Sequence, residues 1–436
     1  MHPSKAQIVI ISVVLLIVLL LVLVFMGVIP GLRSTGEDVV TGELLIWGID
    51  DSSVINSTIV ASYQAFYPEV SVSYRSFSPN TYETALINAL ASGRGPDIFM
   101  VHSSWLPEHK DKMAFLEETQ YPLASLRNDF PDVVAKDFNQ NGRTYALPLY
   151  VDTLALFYNR DIFNNQGIVN APSSWQEIDQ LIPRIVEKTE AGRIVGAAIA
   201  LGASSINIPN APDLLSLFML QDGVQMTSLD HSEATFAFRG GEESLRRYLS
   251  YANPINKNYS WNEEMRRVED VFAAEDLAML IDFASKENFL KQKNPFINLG
   301  IASLPQHADV EKAVNYASYW GLTVANTSPN QGLAWGFIGS TALNQDAMRN
   351  YASLTNRSPA LLSLVAEISA NPNREFLARQ ILTATSWYII DKDFVDQSFS
   401  NMIRSVLSAQ ADPRTAIVKS EEEISQLLKA NKDAEN

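Results

Sequence analysis

The sequence predicts an α/β fold with more than one folding unit. From residue 42 onward, short apolar segments alternate with helical segments in the order strand, helix, strand, helix, strand. This order is typical of parallel sheets whose strands are joined by helical crossovers. The length of 436 residues suggests two or three folding units.

The first elements follow from apolar patterning and from residues that break strands and helices. Gly48 ends the first strand, Pro68 stops the first helix and Gly93 ends the second helix. The predicted elements of this region are strands at 44–47, 70–77 and 98–101 and helices at 54–67 and 81–92.

Two loops of this predicted sheet lie at the same edge. Ligands of parallel α/β sheets bind beyond the carboxyl ends of the strands. The loop at 47–51 follows the first strand, and the loop at 102–105 follows the third. The candidate residues at this edge are Trp47, Asp50, Asp51, His102, Ser103, Ser104 and Trp105.

The stretch 141–163, NGRTYALPLYVDTLALFYNRDIF, carries the strongest local signals. Its first two residues, Asn and Gly, predict a tight turn with positive φ. The apolar run from Tyr145 to Tyr158 predicts a strand covered on both faces, but Asp152 lies at its middle. A buried carboxylate is costly unless it is paired. Two interpretations stay open: a core strand whose Asp152 binds backbone amides, and a crossing between lobes where Tyr150 and Asp152 face a cleft.

The rest of the chain alternates in the same way. Ser174 and Glu177 fit a capping box, and Trp175 beside them is predicted to be a core residue. A second capping box, Ser420 to Glu423, predicts a last helix at 421–429. Further strands are predicted at 196–201, 278–283, 298–304 and 320–325, and further helices at 213–221, 242–252, 263–274, 331–343 and 394–409. The segment 376–387 is predicted to be a helix or a turn.

Residues 8–29 form an apolar run that is long enough to span a bilayer as one helix. The run is longer than the apolar core of a signal peptide, and no clear cleavage site follows it, so an uncleaved anchor is predicted. A cleaved secretory signal is the alternative and leads to the same compartment. The slight charge bias favours a cytoplasmic N terminus at 1–7. With a linker at 30–41, the protein is predicted to cross the cell membrane once and to hold its soluble part outside the cytoplasm.

Composition and motifs exclude several classes of function. The net charge of −16 argues against nucleic acid and anionic lipid as partners, because both require clustered Lys and Arg. Cysteine is absent, which excludes disulfides, thiolate metal sites and cysteine nucleophiles. The five His residues have no metal-binding spacing, and no Walker A loop or GxSxG elbow occurs. No metal, no cofactor and no enzymatic activity are therefore predicted.

Aromatic residues are common in the predicted loops, and the chain has 7 Trp and 15 Tyr. A ring packed on the apolar face of a sugar, with hydroxyl and carboxylate groups around it, is an arrangement that binds carbohydrate. For any single Trp, core packing is the simpler interpretation, and Trp335 within a predicted helix is the clearest case.

Several motifs occur in the order found in one protein family. They are GELLIWG, ALASGRGPDIFMV, NGRTYALPLYVDTLALFYNRDIF, PSSWQEI, FAAEDLAMLIDFAS, NLGIASLPQ and YWGLTVANTSPN. Together they resemble the extracytoplasmic solute-binding proteins of carbohydrate-type ABC importers (family 1), the group that includes maltose-binding protein. The chain departs from this family in lacking the lipidated Cys that often follows the signal. It also has Asp282, Phe283 and Ala284 after the strand where family members often carry Gly and Trp.

The resemblance implies a fold like the type II periplasmic binding proteins, with two α/β lobes and a ligand cleft between them. The implied first lobe is 42–150 with 305–345, and the second is 151–304 with 346–436. The chain is expected to cross the hinge at 150–153, near 298–305 and near 343–347. The ligand-binding residues are then predicted to be Trp47, Asp50, Asp51, Ser103, Ser104, Trp105, Tyr150, Asp152, Asn207, Trp320, Trp387 and Tyr388.

The function implied is that of a monomeric, membrane-anchored receptor outside the cytoplasm. Such a receptor captures a sugar and delivers it to the permease subunits of an ABC transporter. Two alternatives remain open at this point. One is a membrane-anchored carbohydrate-active enzyme that uses two cleft carboxylates. The other is a sensor subunit that passes ligand occupancy to a membrane partner.

Overall fold

The structure, a computed structural model, describes residues 40–238 and 240–435. The predicted cytoplasmic segment 1–7, the predicted anchor 8–29 and most of the predicted linker 30–41 lie outside the described residues. Within the described ranges, no helix is both long and apolar enough to cross a membrane.

The strands form two main sheets and one short hairpin. They are β1 (Gly42–Gly48), β2 (Val70–Ser76), β3 (Ile98–His102), β4 (Asn139–Gln140), β5 (Arg143–Thr144), β6 (Leu147–Pro148), β7 (Asp152–Asn159), β8 (Glu187–Lys188), β9 (Ile194–Ile199), β10 (Leu277–Phe283), β11 (Leu299–Ala302), β12 (Asn315–Ser318), β13 (Trp320–Val324) and β14 (Ala384–Thr385).

Helices cover the sheets and join their strands. The first helical segment, 52–64, has a π-helical middle at Asn56–Val60. Short 3₁₀ turns occur at Lys110–Lys112 and Ala284–Lys286. The other helices are Pro79–Ala91, Leu106–His109, Leu123–Asp129, Asp132–Phe138, Arg160–Asn165, Trp175–Ile185, Ala211–Gln221, Gly241–Ser250, Val268–Ala273, Glu287–Lys293, Gln331–Ala342, Gln345–Thr355, Leu362–Ser369, Glu375–Leu382, Lys392–Leu407 and Pro413–Glu435.

Each main sheet has its own apolar core, and the two sheets define two lobes. The first lobe contains the order β2-β1-β3-β13-β6, and the second contains β14-β12-β7-β10-β9-β8 with β11 paired to β7. β1 is parallel to β2 and β3, as the alternation of elements predicts. β13 is antiparallel to β3, and β7 is antiparallel to β10 and β11. The fold is therefore mixed α/β and not purely parallel.

The central strands of the second lobe are buried on both faces. Leu154, Leu156 and Phe157 of β7 and Met279 and Ile281 of β10 are inaccessible to solvent. A strand between two helical layers has no solvated face, and this explains the continuous apolar run in the sequence.

Of the two helix starts predicted from capping boxes, one is correct and one is wrong. The Ser174 hydroxyl accepts a hydrogen bond from the amide of Glu177, and Trp175 is a core residue, as predicted. The prediction that Ser420 begins the last helix is wrong, because this helix starts at Pro413. Asp412 caps that helix by accepting from two backbone amides, and proline fits the first helical position because it has no N–H to satisfy. Ser420 lies inside the helix and hydrogen-bonds Ser398 at 2.8 Å.

The chain crosses between the lobes at three places. It first crosses between β6, which pairs in the first sheet, and β7, which pairs in the second, within the stretch where the sequence analysis places a crossing. It crosses again at Tyr319, the single residue between β12 and β13. The third crossing follows the helix Glu375–Leu382, because Ile381 belongs to the first core and Trp387 to the second.

The second and third crossings lie later in the chain than predicted. The predicted segment 298–305 contains β11, which pairs with β7 inside the second lobe. The predicted segment 343–347 joins two helices whose apolar residues, among them Phe337 and Met348, both pack into the first core. Neither segment therefore leaves its lobe.

Candidate ligand-binding site

A pocket of about 330 Å³ lies between the two lobes. The first lobe supplies one wall from the loop after β3, the helix Asp132–Phe138 and the hairpin β4–β5. The second lobe supplies the other wall from the segment after the third crossing. The residues that line this interlobe pocket are Ser103, Ser104, Leu106, Pro107, Lys136, Asp137, Asn139, Gln140, Asn141, His231, Trp387, Tyr388 and Ile389.

The loop after β3 is held by a histidine that bridges the lobes. His102 contacts the Ser104 hydroxyl through Nδ1 and the Ser318 hydroxyl through Nε2, each at 2.8 Å. Burial, and next the charge of Lys392, lower the pKa of His102 to about 3. The ring is therefore neutral, and it fixes Ser104 beside the pocket without adding charge. The backbone N–H of Ser103 donates to the carbonyl of Tyr319.

The predicted Asn-Gly turn forms one rim of the pocket. Asn141 and Gly142 have φ values of 55° and 76°, and they join β4 to β5. Positive φ at both central positions is typical of a tight hairpin turn, and Asn and Gly tolerate it best. The turn directs Asn139, Gln140 and Asn141 to the pocket, where their amide groups can donate and accept hydrogen bonds.

Two aromatic residues from the second lobe face this polar wall. Trp387 is fixed from behind, because its indole N–H donates to the Ser216 hydroxyl and its ring stacks on Phe399. The Tyr388 ring stacks on His231 with 4.1 Å between centroids and 3° between planes. The pocket thus combines rigid rings on one side with serine hydroxyls and amides on the other.

Asp137 and Lys136 connect the pocket to the third crossing. The carboxylate of Asp137 accepts from the Ser386 hydroxyl and from the Tyr319 hydroxyl, and the Lys136 ammonium donates to the Ser386 carbonyl. Burial raises the pKa of Asp137 to about 6, although both hydrogen bonds oppose that rise. Burial also lowers the pKa of Lys136.

The predicted residues Trp105, Trp320 and Trp47 belong to an aromatic cluster in the first lobe, next to the pocket. Trp105 and Trp320 meet edge-to-face at 5.1 Å, and Tyr82 stacks on Trp105 at 5.9 Å. Trp47 contacts Phe77 at 4.6 Å and belongs to the first core. None of the three tryptophans is among the residues that line the pocket.

A second group of predicted residues forms a buried polar network at the first crossing. Asp50 binds the Arg357 guanidinium and the Tyr351 hydroxyl, each at 2.6 Å. That guanidinium also lies 4.3 Å from the centroid of the Tyr150 ring. Asp152 accepts from the backbone N–H of Ser285 at 3.3 Å, and burial raises its pKa to about 6. These three predicted residues have protein partners, and the structure does not bring them to the pocket.

Asn207 and Asp51 also lie apart from the pocket and have local partners. The Asn207 amide donates to the carbonyls of Asn262 and Met265 and accepts from the Trp261 indole N–H. Asp51 is exposed and caps the first helical segment through the amide of Ser53.

Of the twelve predicted residues, Ser103, Ser104, Trp387 and Tyr388 therefore meet in the pocket. His231, Lys136 and the polar triplet 139–141 were not predicted from the sequence to be pocket residues. The triplet ends in the first residue of the Asn-Gly turn, and its three amides were a usable signal. No local sequence pattern predicted His231 as a pocket residue. It lies in a loop that is distant in sequence from the other pocket residues, and its backbone has a φ of 54°.

Two larger hollows in the described part of the chain lack this combination of groups. A groove of about 460 Å³ lies between the last two helices, and a wider hollow of about 710 Å³ lies near Arg127 and Thr385. Neither is lined by an aromatic ring. Small-molecule sites usually join apolar or aromatic surface to a few convergent polar groups, so we take the interlobe pocket as the candidate site.

Comparison with known proteins gives consistent matches. The profile of the family "Bacterial extracellular solute-binding protein" matches residues 52–340, more than half of the chain. A putative binding protein of Brucella abortus is 20% identical over 253 residues, which are 56% of this chain and 58% of that protein's length. The maltotriose-binding protein of Pyrococcus abyssi is 20% identical over 339 residues, 76% of this chain and 70% of that protein.

A solved structure has the same fold. The sugar-binding protein MalE of Xanthomonas citri superposes with a TM-score of 0.75 at 18% identity, over 90% of this chain and 98% of that one. At this level of identity the likeness shows the fold.

Proposed function

This chain belongs to the bacterial extracellular solute-binding proteins, and from that premise we propose that it captures a sugar or oligosaccharide in the interlobe pocket. The observation that carries the proposal is the pairing of the Trp387 and Tyr388 rings with a wall of hydroxyl and amide groups. A sugar ring has an apolar face that packs on an aromatic ring and a hydroxyl rim that needs donors and acceptors.

The character of the pocket supports a neutral ligand. His102 is neutral beside it, and Lys136 and Asp137 hold bonds to the third crossing instead of presenting a free charge pair. The volume of about 330 Å³ lies at the lower end of the range for small-molecule sites. The sugar-binding names of the Pyrococcus and Xanthomonas proteins point to the same ligand class.

The proposed function includes binding and delivery but no catalysis. Ligand that contacts both lobes favours the closed arrangement, because its differential affinity for the two arrangements shifts their populations. The closed receptor would then dock on the permease subunits of an ABC transporter outside the cytoplasm. The apolar run at 8–29 is proposed as the membrane anchor, and the receptor is proposed to act as a monomer.

The test is calorimetric titration of the purified chain with a panel of mono- and oligosaccharides, maltotriose included. Small-angle scattering of the free and saturated protein would report closure as a smaller radius of gyration. Tyr388→Ala should weaken binding at least about fivefold, since an aromatic contact contributes roughly 1 kcal/mol beyond its buried area.

The matched control is Tyr67→Ala. Tyr67 is exposed on the first lobe and stacks on Tyr63 away from the pocket. The control should bind the sugar as the unchanged protein does. Absence of heat and of compaction with every sugar, or equal affinity of the two variants, would contradict the proposal.

A further inference from the structure

One group of metal-ligating side chains lies outside the interlobe pocket and has no role in the function proposed above. It consists of Glu83, Glu108 and His109, and one ligand atom from each lies within 4.8 Å of the others. Glu83 is on the helix Pro79–Ala91, whereas Glu108 and His109 end the short helix that follows Trp105.

The histidine is the central residue of this group. His109 is only 5% exposed, and its Nε2 lies 2.7 Å from a Glu83 oxygen and 3.8 Å from a Glu108 oxygen. Its Nδ1 is buried without a hydrogen-bond partner in the described part of the chain. The Trp105 ring stands perpendicular to the imidazole at 5.4 Å and closes one side.

One proton on Nε2 cannot satisfy both carboxylates, because a single N–H points at one acceptor. Glu108 is the carboxylate left over. Two carboxylates and an imidazole nitrogen that converge on one point form a set of ligands for a cation.

We propose that Glu83, Glu108 and His109 bind a divalent transition-metal ion, Zn²⁺ or one of similar ligand preference, at the edge of the interlobe cleft. Ligand atoms about 2.1 Å from a tetrahedral ion lie about 3.4 Å from one another. The two measured separations, 2.7 and 3.8 Å, lie on either side of that value. Both glutamates are partly exposed, so their side chains can move by the roughly 0.4 to 0.7 Å that would bring these two separations to the tetrahedral value.

The choice of ion follows from the mixed ligands. An imidazole nitrogen suits zinc, copper, nickel and cobalt, whereas Mg²⁺ and Ca²⁺ prefer oxygen ligands only. With three protein ligands, the fourth position stays open to water or to another group. Leu106 and Pro107, on the same short helix, line the interlobe pocket, so the ion would lie one helical turn from the proposed sugar.

The test uses the full chain without an affinity tag, freed of metal with EDTA and titrated calorimetrically with ZnCl₂ in the absence of sugar. The expected result is one bound equivalent and a higher melting temperature with Zn²⁺, since binding to the folded state stabilises it. Mg²⁺ should give neither effect. Because no sugar is present, failure here would be distinct from failure of the proposed receptor function.

The decisive experiment compares the Zn²⁺ affinity of variants in the proposed site with that of a histidine variant elsewhere. His109→Gln and Glu83→Gln should each lower the affinity for Zn²⁺ by more than about tenfold and remove the thermal shift. His307→Gln is the matched control, because His307 contacts a single carboxylate, Asp222, at 2.8 Å. The control should bind zinc normally. No binding by the unchanged protein, or equal binding by His109→Gln and the control, would show that the three residues form an ordinary ion-pair cluster and would overturn the proposal.

Discussion

The carboxylate of Asp137 accepts a hydrogen bond of 2.8 Å from the hydroxyl of Tyr319, the single residue that separates the sheets of the two lobes at the second crossing. The other carboxylate oxygen accepts from Ser386 at the third crossing. A helix of the first lobe therefore holds two crossing segments through one side chain. The same side chain lines the interlobe pocket, and this links the position of the crossings to the shape of the site.

Asp137→Ala should destabilise the protein by about 1–3 kcal/mol, because the Ser386 hydroxyl loses its acceptor and the buried Tyr319 hydroxyl keeps only its 3.2 Å contact with the Val133 carbonyl. Urea unfolding followed by tryptophan fluorescence measures this loss. Asp132→Ala, on the same helix and 91% exposed in its side chain, is the control and should change stability by less than about 0.5 kcal/mol. Equal unfolding midpoints for the two variants would contradict the assigned role.

The Asp50–Arg357 pair provides a test of the network at the first crossing. Removing one partner leaves a buried charge, so Asp50→Asn and Arg357→Met should each cost about 3 kcal/mol. The double variant should cost less than the sum of the two single changes, because no uncompensated charge remains. Urea unfolding of all four proteins gives the coupling energy. Strict additivity would mean that the 2.6 Å contact contributes nothing.

Asn207 distinguishes a structural role from the predicted role in ligand binding. Its amide makes three hydrogen bonds to residues 261, 262 and 265 within the second lobe. Asn207→Ala should therefore lower the unfolding free energy by about 1–3 kcal/mol and leave sugar affinity unchanged. Thermal unfolding and calorimetric titration of the same sample measure both quantities. Weaker sugar binding without loss of stability would instead support the original prediction from the sequence.

The sequence predicts most accurately where a local pattern decides the structure. The order of the first elements, the Asn141-Gly142 turn and the core position of Trp175 depend on apolar spacing, on positive φ and on a helix start, all of which are local. The crossing at Tyr319 depends instead on which sheet pairs with β12 and which with β13. No local feature of an apolar strand encodes its pairing partner, so the second and third crossings were placed too early.

Predictions of the site residues also failed where a residue's partner is distant in sequence. Trp387 and Tyr388 were predicted because they fall near the position where the resembled family has an aromatic platform in its second lobe, and both line the pocket. Asp152 was predicted to bind ligand because a buried carboxylate is costly unless it has a partner. Asp152 is indeed buried, but its partner is the backbone N–H of Ser285. Ser285 is 133 residues away in the sequence, and such a partner cannot be seen without the fold.

Asp282, near the end of β10, provides a prediction about pH. Burial raises its pKa to about 7, although the Lys286 charge and the backbone N–H of Phe283 oppose that rise. In the unfolded chain an aspartate has a pKa near 3.9. Between about pH 4 and pH 7 the folded protein therefore holds a proton at Asp282 that the unfolded chain releases. The contribution of this residue to the free energy of unfolding falls as pH rises through that window, and it is constant above the window.

Asp282→Asn should remove this dependence because the amide is neutral at every pH. We expect the variant and the unchanged protein to have similar stability near pH 4. At pH 8 the variant should be the more stable by up to about 4 kcal/mol, the free energy of a shift of about three pKa units. Asp137 titrates in both proteins and cancels in the difference between the two unfolding curves. The charge of Asp152 helps to raise the pKa of Asp282, so the difference reports Asp282 together with this coupling. A difference in stability that stays constant from pH 4 to pH 8 would show that the Asp282 carboxylate is as easily ionised in the folded protein as in the unfolded chain.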